Sequence, residues 1–183
     1  MIIGLSGKIG CGKSFLANLF LKEHPEYTKI GFADILKVEC SNLYNYPNEL
    51  NYTEDGKNQI VQANGLPRRF MTVREILQWH GTDLRRAEDP DYWVRKMIDT
   101  LLQHEVPNTV IIDDVRFLNE AAMIKGTNGL LIRLNPYPEW KPGKYADHIS
   151  ETDLDDYEEW NLVLSPKFGE LATCIPEIER ILK

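Results

Sequence analysis

One octapeptide constrains this chain more than any other feature. Gly7-Lys8-Ile9-Gly10-Cys11-Gly12-Lys13-Ser14 stands between a short apolar run, Ile2–Ser6, and an amphipathic segment, Lys13–Glu23. Glycines at these spacings let the backbone curl until successive N–H groups point at one anion. Lys13 then sets a charge beside β- and γ-phosphates, and the Ser14 hydroxyl is placed to ligate Mg2+. The following helix turns its positive end toward the same anion. Strand, loop and helix in this order predict a P-loop: Gly7, Ile9, Gly10, Cys11, Gly12, Lys13 and Ser14 holding ATP, with Phe15, Leu16, Leu19 and Phe20 as the buried helix face.

Around this motif, short apolar segments at 2–6, 29–33, 109–113, 130–134 and 161–164 read as strands. Helical patterns run over 13–23, 34–43, 72–86, 90–104, 117–125 and 166–182. Strands apolar throughout belong to a parallel sheet covered on both faces, so the alternation predicts a doubly wound α/β fold. The 183 residues suffice for one domain, and 43% hydrophobic with 27% charged residues are ordinary for a soluble globular chain. A net charge of -7 argues against a nucleic acid polymer as partner. Three unpatterned cysteines form no metal motif and suit a reducing compartment, and no apolar run approaches the ~20 residues that cross a bilayer. A cytoplasmic location, with no membrane partner, is therefore expected.

Two segments break the rhythm. Residues 44–70, rich in Asn, Tyr, Pro and Gly, are too long for a plain connection and read as an insertion. Residues 135–147 have the composition of a lid or a surface loop.

The GTPase switch and base-reading motifs are absent. Instead, the third strand ends in Asp113-Asp114-Val115-Arg116-Phe117-Leu118-Asn119-Glu120, at the sheet edge where such folds hold ligands. Asp113 or Asp114 could hold the water shell of Mg2+, Arg116 a phosphate, and Glu120 lies four residues from Arg116 on one helix face. On 72–86, where Thr72 and Glu75 fit a capping box, two stripes separate. Val73, Ile76, Leu77, His80 and Leu84 form one; Arg74, Gln78, Gly81, Thr82 and Arg85 form a polar one, suited to a nucleotide phosphate and base edge. Asp34 reads either as a helix N-cap or as a residue beside the P-loop orienting an attacking phosphate oxygen, with Lys37 neutralising that phosphate.

These residues resemble the deoxynucleoside monophosphate kinases of bacteriophages, within the P-loop nucleoside monophosphate kinase group. The likeness rests on Gly7 to Ser14, Phe32 to Lys37, Arg74 to Asp83, Asp89 to Trp93, Asp113 to Glu120 and Asp147 to Glu151. It implies a three-layer P-loop kinase fold with a five-stranded, mainly parallel sheet. The core would be 1–43, 105–134 and 160–183, with a helical acceptor-binding insertion at about 44–104 and a lid at about 135–151. It implies ATP on Lys13 and its loop, and an acceptor surrounded by Arg74, Gln78, Gly81, Thr82, Trp93, Asp114, Arg116 and Glu120. Trp93 would wall the base, and His148 would lie beside the lid. Where related kinases grip the phosphoryl group with lid arginines, this lid offers Lys141 and Lys144, with Arg133 before it and Arg85 or Arg86 as other sources of charge.

The implied reaction converts ATP and a deoxynucleoside monophosphate into ADP and the diphosphate. Catalysis would rest on Lys13, Arg116 and Asp34 with Mg2+, acting in the host cytoplasm if the chain is viral; a homodimer is compatible with it. Accepted bases are expected to be guanine, thymine or cytosine before adenine. Two rivals stay open: a P-loop kinase for another small acceptor, such as a coenzyme A precursor, and a nucleotide-binding module without turnover.

Overall fold

Residues 1–103, 109–143 and 146–183 are described by the computed structural model. Along the chain the strands are β1 (Ile2–Ser6), β2 (Thr28–Lys29), β3 (Ile60–Val61), β4 (Met71–Thr72), β5 (Val110–Val115), β6 (Leu130–Leu134) and β7 (Leu162–Leu164). The helices are α1 (Lys13–Glu23), α2 (Phe32–Tyr44), α3 (Glu54–Lys57), α4 (Val73–Gln78), α5 (Tyr92–Gln103), α6 (Leu118–Gly126), α7 (Ile149–Thr152) and α8 (Ile175–Ile181). Contacts divide the chain into two units, Met1–Gly31 with Leu101–Lys183, and Phe32–Thr100.

In the first unit the strands lie in the order β2-β5-β1-β6-β7, all neighbours parallel, which is the expected five-stranded sheet. Its strands β1, β5 and β6 are mainly apolar because helices cover both faces. Ile3 and Leu5 of β1 join Leu16, Phe20 and Ile178 in one core, while Gly4 faces Ile124 of α6. The site-bearing strand β5 carries an irregularity. Gly4 pairs with Ile112 but Ser6 with Val115, so Leu5 alone stands opposite Asp113 and Asp114. Such a bulge re-aims side chains at a strand end.

Four expectations are corrected here. The second strand is Thr28–Lys29 rather than 29–33, and α2 already begins at Phe32, so Asp34 lies inside its first turn and is not the N-cap. In the sheet β5 lies between β2 and β1. Two-residue β2 is half-exposed and takes the edge, while the longer, buried β5 takes the interior. On α1 the buried residues are Lys13, Leu16, Ala17 and Phe20, and Phe15 is 60% exposed. The final helix is not 166–182: Gly169 at φ +81° breaks it, a 3-10 turn covers Leu171–Cys174, and α8 follows. His104, at the end of the expected fifth helix, and Lys144 of the lid lie outside the described residues.

In the second unit the insertion is built rather than plain loop. A 3-10 turn (Asn48–Tyr52), α3 and the antiparallel pair β3-β4 lie within or beside it, and Cys40, Tyr44, Tyr46, Val61, Met71, Val73 and Ile76 form a core. Thr72 and Glu75 make the expected capping box, with Thr72 N donating to Glu75 Oε2 at 2.8 Å. After Gln78 the helix widens into a π-helical stretch, Trp79–Arg86, which breaks the 3.6-residue spacing that both stripes assumed.

Candidate active site

The loop from Gly7 to Ser14 takes the backbone that its glycines permit. Gly10 and Gly12 sit at φ +76° and +99°, and a Cβ on Gly12 would stand 2.7 Å from Leu171 Cδ1. Lys13 follows, only 7% exposed. Its ammonium donates to the Gly7 carbonyl at 2.6 Å and the Lys8 carbonyl at 2.8 Å. Burial pushes its pKa down to about 8; Arg116 and Arg133 press the same way, against Cys11 and Asp114. Lys13, Asp114, Arg116 and Arg133 are therefore one electrostatic group.

The end of β5 separates its two aspartates. Asp113 is buried and pairs with Lys29 at 3.4 Å, whereas Asp114 is half-buried and acts on Lys13. Arg116 precedes α6, so Arg116 and Glu120 do not lie along one helix face as expected. Glu120, 2% exposed, accepts the backbone N–H of Arg116 at 2.8 Å and of Phe117 at 3.2 Å, closing the helix entrance. The Arg116 guanidinium instead pairs with Glu151.

The segment after β6 reaches back to the loop. Trp140 donates its indole N–H to the Ile9 carbonyl at 3.0 Å, and Glu151 Oε2 accepts the Ile9 N–H at 2.7 Å. Lys8 donates to the Glu151 carbonyl and to Asp155, both at 2.6 Å, and Arg133 contacts Ser6 and the same Asp155. His148 is the N-cap of α7, its Nδ1 accepting the Ser150 N–H.

The second unit accounts for several acceptor candidates by packing. Trp93 is 3% exposed and donates its indole N–H to the Gly81 carbonyl at 2.9 Å; Gly81 is buried against Leu36. His80, fully buried, is held between the Tyr44 hydroxyl at 2.8 Å and Glu39 at 2.9 Å. Arg85 pairs with that Glu39 and stacks over Tyr92, so it serves this network rather than the polar stripe. Arg74 bonds Glu54, Lys37 pairs with Asp34 at 3.0 Å, and Gln78 and Thr82 are half-buried.

No protein-family profile matches the chain. A crystal structure of shikimate kinase from Bacteroides thetaiotaomicron superimposes with a TM-score of 0.53 at 14% identity, across all of this chain and 98% of that one. That likeness shows the α/β fold of a P-loop kinase. A protein of Acanthamoeba polyphaga mimivirus, provisionally named a deoxynucleotide monophosphate kinase, is 31% identical over 96% of each chain. The chain belongs to the family of this viral kinase.

As a P-loop kinase the chain binds nucleotide, and its residues fit the Mg2+ that accompanies ATP. Ser14 is exposed at the loop's end, and Asp114 acts on the neighbouring Lys13. Asp113, taken by Lys29, is the poorer candidate. Among the described residues no cluster of three His, Cys, Asp or Glu could hold a metal. Among them, too, no helix is long and apolar enough to cross a membrane. Asp155, Glu151 and the role of Lys8, a variable position of the loop motif, escape a motif reading. Only their contacts in the fold single them out, although Glu151 closes one of the resembling stretches.

Proposed function

We propose that this kinase transfers the γ-phosphoryl group of ATP to a deoxynucleoside monophosphate, giving ADP and the deoxynucleoside diphosphate. The observation that carries the reading is the grouping of Lys13 with Asp114, Arg116 and Arg133 in a chain so similar to the mimivirus protein. Lys13, Arg116 and Arg133 bear on one place beside the loop, which suits a polyphosphate whose charge spreads during transfer. The acceptor phosphate is a nucleophile at neutral pH, so alignment and charge neutralisation suffice, without a general base.

In this reading, the loop from Gly7 to Ser14 holds the ATP phosphates, Lys13 and Arg116 bear on the transferring group, and Arg133 adds the charge that related kinases take from lid arginines. Ser14 and Asp114 would hold Mg2+, which offsets phosphate charge when bound. Acceptor recognition is assigned to the exposed or half-buried candidates Asp34, Lys37, Arg74, Gln78 and Thr82, with Gly81 and Trp93 shaping that unit from within. Membership of the bacteriophage branch is supported by the stretches Arg74 to Asp83 and Asp113 to Glu120. Purified protein with ATP, Mg2+ and each deoxynucleoside monophosphate in turn tests the assignment, with ADP and diphosphate expected in equal amounts. No turnover with any of the four would refute it.

A further inference from the structure

Glu151 lies on α7, 137 positions beyond the end of the P-loop motif at Ser14, yet its carboxylate terminates in the loop. Oε2 accepts the Ile9 N–H at 2.7 Å, and Oε1 meets the Arg116 guanidinium. Its side chain is 3% exposed. The turn that carries it is fastened twice more, by Lys8 to the Glu151 carbonyl at 2.6 Å and by Arg116 to the Ser150 carbonyl at 3.3 Å. A loop amide beside a guanidinium is the donor set that receives a phosphate oxygen.

We propose that Glu151 is an internal competitor for the polyphosphate, a latch that holds the α7 turn on the loop. It yields when phosphate takes the Ile9 amide and Arg116. The inference rests on the loop's phosphate-binding role and not on the identity of the acceptor. Two anions sharing one amide and one guanidinium in a buried place repel each other, so the carboxylate must leave as the phosphate arrives. Trp140, which bonds the carbonyl of the same Ile9, is released in the same movement. The apparent affinity for polyphosphate is lowered by the fraction of molecules that are latched.

Inorganic tripolyphosphate is the probe, followed by calorimetry and by hydrogen exchange. Glu151→Gln keeps the side chain's size without its charge and is expected to lower the dissociation constant about tenfold. Asp155→Asn, which removes a neighbouring carboxylate that touches no loop amide, should change it far less. In the wild-type protein, saturating tripolyphosphate should speed exchange at the amides of Glu151, Asp153 and Asp155, which the turn protects through His148, Ile149 and Thr152. An unchanged or weaker affinity in a folded Glu151→Gln, an equal gain in Asp155→Asn, or slowed or unchanged exchange would each overturn the latch. If Glu151→Gln does not fold, the exchange result decides alone. Should wild-type protein bind no tripolyphosphate, the phosphate-loop reading falls and the latch with it; binding without release sinks only the latch.

Discussion

The Lys13 ammonium turns back onto its own loop and donates to the Gly7 carbonyl at 2.6 Å, in a place buried enough to bring its pKa to about 8. Transfer needs the charged form, so kcat/KM for ATP should fall as pH rises through about 8, approaching tenfold per pH unit. Saturating nucleotide supplies negative charge and should carry kcat to higher pH. The stability sign is opposite: between about 8 and 10.5 the unfolded chain binds more protons at Lys13 than the folded one, so this residue's contribution rises with pH. Lys13→Met should lack that slope in melts from pH 7.5 to 10, and its turnover should drop at least about a hundredfold.

Gly12 combines φ +99° with Leu171 Cδ1 only 2.7 Å from where a Cβ would stand. Gly12→Ala should destabilise by about 1 to 3 kcal/mol and abolish measurable ATP binding by shifting the neighbouring loop amides. A variant that binds ATP normally would show that the loop adopts another backbone in solution.

The second unit should be acid-sensitive through Glu39 and His80. Burial holds His80 below its ordinary 6.5, against the hydrogen bond and charge of Glu39. Burial raises the Glu39 carboxyl, but hydrogen bonds from His80 and Tyr92 and the charge of Arg85 outweigh it, leaving the net below 4.5. For both groups the unfolded chain binds more protons on the acid side, so Tm should fall as pH drops below about 6.5 and again below 4.5. Glu39→Gln should cost about 2 kcal/mol at pH 7 and flatten the second fall, as read by calorimetry.

Trp93→Phe discriminates a packing residue from a base-binding one. Its indole N–H holds the buried Gly81 carbonyl at 2.9 Å, so losing it should cost about 1 to 3 kcal/mol and lower Tm. KM for the acceptor should change less than twofold. A large rise in KM without loss of Tm would return Trp93 to the binding surface.

The sheet was legible where local chemistry sets the backbone. The glycines of the loop and the apolar runs of β1, β5 and β6 each carry their signal within a few residues. The Thr72–Glu75 box was legible for the same reason. Tertiary features were not. The bulge at Asp113 and Asp114 depends on pairing with β1, and the π-helical turn at Trp79–Arg86 accompanies the packing of His80, Gly81 and Trp93. Sequence spacing grouped Arg85 with Arg74, whereas Glu39, far away in the chain, claims it. Glu151 and Asp155 reach Lys8 and Ile9 across more than a hundred residues, and no periodicity records such contacts.

The central claim is phosphoryl transfer from ATP to a deoxynucleoside monophosphate, and 31P NMR of four reaction mixtures, one for each monophosphate, tests it most directly. With ATP, Mg2+ and dGMP, dTMP, dCMP or dAMP, at least one mixture should show a new deoxynucleoside diphosphate signal growing with that of ADP. Lys13→Met should leave that mixture unchanged. Four mixtures that stay as ATP and monophosphate, with an active fold verified by ATP binding, would contradict the account.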